Sequence, residues 1–321
     1  MAVYTHLGAD DLAELIAAYD VGDLISAKGI AEGVSNSNWL VETTRSRFIL
    51  TMYERRIDLA DLPFFLGLLD HLSAKGCPVP RTIHDRQGAA FRMIGDKAVA
   101  LIEFLPGVSI DQPSPAQAYA VGAVLAQMHL AAADMPARRV NDLGPAASAK
   151  VLEQCGADGL ARIDAELPAA IVRAREILTR WAEGLPQSVI HSDLFPDNVL
   201  MLGEQVTGLI DFYFACNDAM AYDLAVTHAA WSFTQGGHHF RADVGQAVVD
   251  GYESVRPLEP AERAAMPLLA EGACLRFVSS RAQDWLALPD DALVTRKDPM
   301  DFMRRLAFYH ASGSRAFGGA A

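Results

Sequence analysis

The first third of the chain carries short apolar runs separated by polar turns. Three of these runs have the length and the apolar or alternating character of strands: 23–28, 39–43 and 47–53. An apolar pattern of helical spacing follows over 59–74, and two more strand-like runs flank the hairpin dipeptide Gly95-Asp96. The pattern therefore predicts a small antiparallel sheet of five strands with one helix.

After residue 105 the pattern changes to Ala- and Leu-rich stretches with helical spacing. The first begins at Ser114, where Pro115 follows at the first helical position. Further helical patterns recur at 168–181, 223–233, 239–255, 260–288 and 298–311. We therefore predict an α+β chain of two lobes, a small antiparallel β lobe with one helix over 1–105 and a larger, mainly helical lobe over 106–321.

Composition and charge limit the kind of ligand. The chain has 321 residues, 51% of them hydrophobic, and its 27 basic and 40 acidic residues give a net charge of −13. Such an apolar chain is not disordered, and its acidity argues against nucleic acid and anionic membranes, since both attract clustered Lys and Arg. If the ligand is itself a polyanion, positive charge must be supplied locally or by a metal ion.

The cysteines and the N-terminal segment indicate the cellular compartment in which the protein is expected. Four cysteines lie far apart without a C-x-x-C pair: Cys77, Cys155, Cys216 and Cys274. This spacing encodes neither a zinc knuckle nor a dense disulfide framework. The first residues lack a basic segment followed by an apolar one, and no apolar run approaches the roughly 18 residues of a membrane-spanning helix. We therefore expect a soluble, cytoplasmic protein.

Candidate chemistry is concentrated in an irregular apolar segment between 188 and 214. Asp193, Asn198 and Asp211 stand at the ends of very apolar runs in this segment. Burying carboxylates beside such neighbours is costly unless they accept a proton or hold a cation. Phosphoryl transfer requires both roles, a carboxylate that accepts the proton of the attacking hydroxyl and oxygen ligands that hold Mg²⁺ on the nucleotide phosphates.

The order and spacing of these residues resemble the protein-kinase-like superfamily. Segment 191–198 matches the catalytic-loop pattern H-x-D-L-x-x-x-N, and Asp-Phe-Tyr at 211–213 stands where kinases have Asp-Phe-Gly. The alternative interpretation is that these polar residues are helix caps and turn formers, but such residues seldom match a whole motif in the same order and spacing. The resemblance implies a two-lobe kinase-like fold and assigns the catalytic base to Asp193, magnesium ligands to Asn198 and Asp211, and structural roles in the loop to His191 and, from a matching later segment, Asp223.

Within that superfamily, the form His-Ser-Asp-Leu-Phe-Pro-Asp-Asn resembles the aminoglycoside phosphotransferase group of small-molecule kinases. Five further segments are similar to the bacterial homoserine kinases of this fold: 33–38, 48–54, 61–65, 276–281 and 297–299. This similarity extends over nearly the whole chain. It implies transfer of the γ-phosphate of ATP to the side-chain hydroxyl of L-homoserine, a step of threonine synthesis. The alternatives are a kinase acting on an aminoglycoside or on an amino alcohol such as choline, and a catalytically silent nucleotide-binding module.

The same resemblance assigns a nucleotide site to the small lobe. The loop 29–38 would cover the phosphates with backbone N–H groups, and Ser35, Asn36 and Ser37 would add side-chain donors. The loop lacks G-x-G-x-x-G, so an ordinary hairpin loop is the alternative. Glu103 and Leu105 lie where the backbone of the kinase hinge pairs with adenine, with a plain strand end as the alternative.

One departure from the kinase pattern concerns the cation that contacts the α and β phosphates. Thr51 stands where the third strand of kinases carries its lysine. A hydroxyl cannot supply that charge. We therefore offer the hypothesis that Arg55, or Lys28 on the first strand, supplies it.

The acceptor must be recognised beside the catalytic base. An amino acid presents a carboxylate and an ammonium, so its pocket needs a guanidinium and an acidic partner. Arg276, Arg281 and Asp284 on one late helix are the candidates, although surface Arg is the alternative interpretation. Cationic acceptors would instead favour a pocket rich in Asp and Glu, so the arginine pair favours an acceptor with a carboxylate.

Overall fold

The computed structural model of the chain describes residues 7–30, 36–54, 58–288 and 296–319. Contacts between residues divide it into two units. The first contains the described residues up to Gly107 together with Met135–Ala137 and Thr207–Tyr213, and the second contains the remainder. The division after residue 105 stays a prediction. Ser35 and Arg55 lie outside the described residues.

The first unit is a mixed unit built on an antiparallel sheet. Its elements are α1 (Ala9–Ala17), β1 (Leu24–Ile30), β2 (Asn36–Thr43), β3 (Arg47–Tyr53), α2 (Leu62–Ala74), β4 (Thr82–Ile83), β5 (Arg92–Ile94) and β6 (Lys97–Glu103). The strands lie in the order β1-β2-β3-β6-β4, and β5 also pairs with β6. The predicted antiparallel sheet is confirmed. The sequence analysis missed α1 and the two-residue strand β4, which follows Pro80 and is too short to show a pattern.

The two faces of this sheet differ in character. One face is apolar and packs with α1 into a core that includes Ile16, Trp39, Leu50 and Leu101. Side chains alternate between faces along a strand, and paired residues on neighbouring strands share a face. The strand register therefore places the following residues together on the other face: Lys28, Asn36, Asn38, Thr51 and Tyr53. We call these residues the polar sheet face.

The second unit is mainly helical, as predicted. Its helices are α3 (Pro115–Ala132), α4 (Pro145–Ala161), α5 (Ala169–Arg180), α6 (Met220–Trp231), α7 (Ala242–Val255), α8 (Pro260–Ala287) and α9 (Met300–Ser312). Its strands β7 (Gln187–Ile190) and β10 (Cys216–Ala219) pair with each other, and β8 (Val199–Leu202) follows the candidate catalytic loop. Strand β9 (Gln205–Leu209) begins in this unit and ends in the segment assigned to the first. In the described part of the chain, no helix is both long and apolar enough to cross a membrane.

Helix α4 was missed by the sequence analysis because its pattern is interrupted. Gly156 has φ 68° and ψ 158°, which breaks the helical backbone in the middle of the helix. Glycine reaches this conformation at little steric cost, and the break shifts the angular position of the residues that follow. The apolar residues on either side of Gly156 therefore do not follow a single helical period.

Helices α3 and α7 approach each other closely at two glycines. A Cβ atom added to Gly251 would lie 2.0 Å from the carbonyl oxygen of Tyr119, and one added to Gly122 would lie 2.1 Å from that of Val248. Both obstacles are backbone atoms, so neither helix can yield by rotating a side chain. The glycines therefore fix the position of α3, which carries His129 into the candidate site.

The Gly251→Ala variant is expected to lose about 1–3 kcal/mol of stability, because the added methyl group forces α3 and α7 apart. Thermal unfolding followed by circular dichroism measures the loss. Gly67→Ala in α2 is the control, since a Cβ there meets no atom within 4 Å. That variant should unfold at or slightly above the wild-type temperature. An equal loss in both variants would contradict the close-contact explanation.

Candidate active site

The catalytic loop begins where β7 ends, and its hydrogen bonds bring Asp193 and Asn198 together. The Nδ2 group of Asn198 donates to the backbone carbonyl of Asp193 at 2.8 Å and to its carboxylate at 3.3 Å. A 3₁₀ turn over Pro196–Asn198 closes the loop, and the backbone N–H of Asn198 donates to the carbonyl of Phe195 at 3.0 Å. The spacing of five residues that matched the motif therefore corresponds to a compact turn.

Asp223, at the start of α6, binds the backbone of the candidate catalytic loop. Its two carboxylate oxygens accept the backbone N–H groups of His191 and Ser192, each at 2.7 Å. The Nε2 atom of His129 lies 3.0 Å from one of these oxygens, and Asp223 and His129 are both fully buried. Burial is the strongest influence on the carboxyl and raises its pKa, but the hydrogen bonds and nearby histidines leave the pKa of Asp223 lower than usual.

The support for Asp223 continues through a buried polar chain. The Nδ1 atom of His129 lies 2.9 Å from the hydroxyl of Tyr252, and Arg256 donates to that hydroxyl at 3.3 Å. Arg256 also forms a two-pronged ion pair with the buried carboxylate of Glu262, at 2.9 and 3.0 Å. Every side chain of this buried chain from Asp223 to Glu262 thus has a polar partner, which is what a rigid network requires.

Backbone strain marks both parts of the predicted site. Ser192 has φ 68° and Asp211 has φ 64°, and among the described residues they are the two non-glycine residues with positive φ. Positive φ is costly for residues with a side chain and persists where surrounding contacts enforce it, often at functional sites. Each strained residue lies in a motif that the sequence analysis singled out, although no residue type at these positions signalled the strain.

Arg276 on α8 stabilises the strained residue of the loop. One terminal nitrogen of its guanidinium donates to both the carbonyl and, at 2.8 Å, the hydroxyl of Ser192, and the other lies 3.6 Å from the Asp193 carboxylate. The guanidinium also lies over the rings of Phe214 and Phe277, 5.3 and 4.8 Å from their centres. Its side chain is 4% exposed, so Arg276 is an integral part of the loop's packing rather than a surface arginine.

The other two predicted acceptor residues lie further along the same helix. Arg281 donates to the carbonyl of Asp298 at 2.8 Å and pairs with the carboxylate of Asp301 at 3.1 Å. Burial lowers its pKa below the usual range, whereas Asp301, Asp298 and Asp193 raise it, so Arg281 is within electrostatic reach of the predicted base. Asp284 is exposed. The structure thus brings Arg276 and Arg281 toward Asp193 and leaves Asp284 at the surface.

In the first unit, the Asp-Phe-Tyr segment meets the third strand. The hydroxyl of Tyr213 lies 3.1 Å from that of Tyr53, and their rings pack edge to face. Thr51, at the position of the kinase lysine, donates to the amide oxygen of Asn38 at 2.8 Å. Burial raises the pKa of Tyr53 well above its usual value and raises that of Tyr213 as well. These hydroxyl groups therefore stay neutral, and neither they nor Thr51 replace the positive charge of the kinase lysine.

The described nucleotide candidates lie on opposite faces of the sheet. Asn36 belongs to the polar sheet face and is 6% exposed, and its amide oxygen is buried without a hydrogen-bond partner among the described residues. The hydroxyl of Ser37 points to the other face and donates to Glu54 at 2.7 Å. Glu54 in turn pairs with Lys97, a cation that the sequence analysis missed. Lys28 is exposed on the polar sheet face.

The segment predicted to resemble the hinge follows β6. Glu103 ends that strand, and its carboxylate accepts the backbone N–H of Arg81 at 3.3 Å. The N–H and C=O of Leu105 take part in no backbone hydrogen bond within the described chain, and this residue is half-buried. Backbone groups without a backbone partner are what pairing with the edge of an adenine base would require.

The residues present fit magnesium in its usual protein setting. Among the described residues, no group of three His, Cys, Asp or Glu side chains is arranged to hold a metal ion. Mg²⁺ is commonly held by one or two protein oxygens together with substrate phosphates and water, so a full protein cage is not needed. Because Asn198 donates with its nitrogen to Asp193, its amide oxygen points away and accepts no hydrogen bond from the described residues. Asp211 is exposed.

An antiparallel sheet with a helix beside it, a mainly helical second unit and a loop of the H-x-D-L-x-x-x-N form define a phosphotransferase of the protein-kinase-like class. A model of the phosphotransferase enzyme family matches residues 26–258. The chain therefore belongs to this phosphotransferase family.

Relatives and solved structures agree with this assignment. Homoserine kinase of Xanthobacter autotrophicus is 46% identical over 317 residues and covers 98% of each chain. Homoserine kinase of Allorhizobium ampelinum is 47% identical over 320 residues and covers 97% of each. The structure of an amicoumacin kinase superposes with a TM-score of 0.71 at 15% identity, covering 96% of this chain and 94% of that one. The last similarity concerns the fold alone.

Proposed function

We propose that this protein is an ATP-dependent kinase that transfers the γ-phosphate to the side-chain hydroxyl of L-homoserine. The observation that supports homoserine as the acceptor is the similarity to proteins named homoserine kinase, which are about 46% identical over nearly the whole chain. The geometry of the loop supports the reaction type, since Asp193 is held in place by Asn198 and by the network around Asp223. Homoserine kinase activity places the protein in threonine biosynthesis.

Asp193 is the proposed catalytic base. Its carboxylate accepts the proton of the acceptor hydroxyl as that oxygen attacks the γ-phosphorus. Asn198 and Asp211 are the proposed ligands of Mg²⁺, which when bound neutralises charge on the phosphates. His191 and Asp223 are proposed as structural residues, because His191 accepts the backbone N–H of Asp193 on Nδ1 at 3.2 Å and Asp223 receives that of His191.

The proposed nucleotide contacts lie in the first unit. Asn36, whose buried amide oxygen has no protein partner, would bond directly to the nucleotide or its water shell. Glu103 and Leu105 would pair with adenine through the backbone. Ser35 and Ser37 would contact the phosphates through the loop backbone, because the hydroxyl of Ser37 is already bonded to Glu54.

Lys28 or Arg55 is proposed to replace the missing strand lysine. The shared sheet face of Lys28, Asn36 and Thr51 supports Lys28. A Lys28→Met variant should raise the KM for ATP, since a point charge on the phosphates is lost. An Arg55→Met variant with unchanged ATP affinity would leave Lys28 as the replacement.

The proposed acceptor residues are Arg276, Arg281 and Asp284. Arg281 is the best placed for direct contact, since it reaches the electrostatic field of Asp193 while its guanidinium remains partly accessible, at 13% exposure. Arg276 is committed to the loop by its bonds to Ser192. An exposed Asp284 would contact only the ammonium of an acceptor that extends to the helix surface.

An ADP-release assay tests the proposed function. Purified protein is incubated with ATP, Mg²⁺ and, in separate reactions, homoserine, threonine, serine, choline or kanamycin. Homoserine should give the highest kcat/KM of these acceptors, and ³¹P NMR should identify the product as a phosphate monoester. A higher value for choline or kanamycin would refute the acceptor, and nucleotide binding without turnover on any acceptor would indicate a silent module.

A further inference from the structure

Among the described residues, a buried arginine outside the predicted site has no carboxylate partner. Arg305 on α9 is 7% exposed, and its guanidinium donates to the carbonyl of Ala229 at 2.8 Å. Its Nε atom is buried without a hydrogen-bond partner, and no carboxylate of the described residues forms an ion pair with it. A buried charge without a partner is expensive, so such a group points to an anion that is bound during function.

The neighbouring charges are balanced without Arg305. Arg281 pairs with Asp301 at 3.1 Å, and Arg304 lies 3.5 Å from Asp301 and 3.9 Å from Asp298. These four side chains carry two positive and two negative charges. Arg305 adds a third positive charge to this group, and the single negative charge of a bound carboxylate would balance it.

Aromatic side chains connect Arg305 to the catalytic loop. The guanidinium carbons of Arg281 and Arg305 lie 4.7 and 4.3 Å from the centre of the Phe302 ring. That ring lies 5.9 Å from the ring of Phe195, which is two residues beyond Asp193 in the loop. Both guanidinium groups therefore contact one ring, and that ring packs against Phe195 of the loop that carries the proposed base.

The electrostatic environment of Arg305 agrees with this arrangement. Burial lowers the pKa of its guanidinium and the positive charge of Arg281 lowers it further, whereas Cys274, Tyr309 and Asp301 raise it. A carboxylate bound between the two arginines would relieve both the desolvation and the repulsion. The same ligand would satisfy the free Nε atom of Arg305.

We propose that Arg305, together with Arg281, binds the carboxylate of the amino acid acceptor and so selects it over amino alcohols. This inference rests on the proposed function and deepens it, since it names the group by which the acceptor is recognised. Arg305 is thus a specificity-determining residue of the phosphoryl transfer. Its sequence neighbours give no sign of this role, because Met303, Arg304 and Leu306 form an ordinary helical pattern.

The test compares L-homoserine with 3-aminopropan-1-ol, which has the same hydroxyl and amine but lacks the carboxylate. Isothermal titration measures the Kd of both compounds for wild type and Arg305→Gln in the presence of a non-hydrolysable ATP analogue. The variant should bind homoserine about 10- to 100-fold more weakly, because a hydrogen-bonded charge is lost, and 3-aminopropan-1-ol within about 2-fold of wild type. The KM for homoserine should rise, with kcat changing less.

Two further variants separate recognition from structure. Arg305→Lys keeps the charge but loses the planar fork, so its affinity for homoserine should lie between those of wild type and Arg305→Gln. Arg315→Gln removes an exposed arginine that bonds only to backbone carbonyls at the end of α9, and both affinities should match wild type. If Arg305→Gln does not fold, the same comparison of the two ligands is made with Arg305→Lys.

The outcomes distinguish this inference from the proposed function. Equal weakening of both ligands, or of neither, in a wild-type enzyme that phosphorylates homoserine would assign Arg305 a structural role and overturn this inference alone. A wild-type enzyme that prefers 3-aminopropan-1-ol over homoserine would overturn both. Selective loss of homoserine binding supports the carboxylate site.

Discussion

The Asp193→Asn variant is expected to lose about 10²- to 10⁴-fold in kcat, the usual contribution of a positioned general base. Asparagine has the size of aspartate and still accepts the Nδ2 hydrogen bond of Asn198, so the loop keeps its shape. It cannot take up the hydroxyl proton at neutral pH. The KM for ATP should stay within about 2-fold of wild type, since no nucleotide contact is changed.

The ADP-release assay with homoserine measures both constants. Asp197→Asn is the matched control, because Asp197 lies in the same loop but its side chain is exposed. Its kcat should remain within about 2-fold of wild type. If Asp193→Asn keeps more than one-tenth of wild-type activity, it has lost less than about 1.4 kcal/mol of transition-state stabilisation, and Asp193 is not the base.

The contact between Asp193 and Asn198 in the candidate catalytic loop could be predicted because the two residues are close together in sequence. Asp193 and Asn198 are five residues apart, and one turn of chain with two hydrogen bonds suffices to join them. The second unit's helices were likewise predictable, since each carries its own apolar period. The composition argues against polyanionic surfaces, because the net charge is −13, and it stays compatible with a nucleotide whose charge Mg²⁺ would neutralise.

Contacts between residues that are distant in sequence could not be predicted in this way. Asp223 meets His129 across 94 positions of the sequence, and Arg276 reaches Ser192 across 84. A histidine in an Ala- and Leu-rich helix carries no mark of such a partner, since core histidines occur in many helices. Arg305 is similar, because its proposed role depends on a buried Nε atom that has no hydrogen-bond partner among the described residues, and only the packing of the folded chain reveals it.

The polar sheet face shows how register adds what residue type cannot. Lys28, Asn36 and Thr51 are far apart in sequence, yet the pairing of β1, β2 and β3 places them on one face. A shift of one residue in either pairing would move a residue to the apolar face. The strand register therefore decides which cation can replace the missing strand lysine, and it supports Lys28.

The Asp223→Asn variant is expected to lose about 3 kcal/mol of stability and to have a lower kcat. The reason is that a single amide oxygen would have to accept the hydrogen bonds that two carboxylate oxygens accept in wild type. In wild type, these oxygens receive the N–H groups of His191 and Ser192 and lie beside His129. Asparagine has one acceptor oxygen, and its NH₂ group faces a donor. Urea denaturation measures the stability, and the ADP-release assay measures kcat.

The pH dependence of stability tests the same carboxylate. Since the folded-state pKa of Asp223 lies below the usual value of an aspartate, ionised Asp223 stabilises the fold above that usual value, and this stability is lost as the pH falls through the lower folded-state pKa. Asp223→Asn should therefore flatten the stability profile in this acidic range. Thr227→Val is the control, since the Thr227 hydroxyl donates only to the Asp223 backbone carbonyl. An unchanged acidic profile in Asp223→Asn would show that the loop is held by other contacts, and Arg276 would then be its main support.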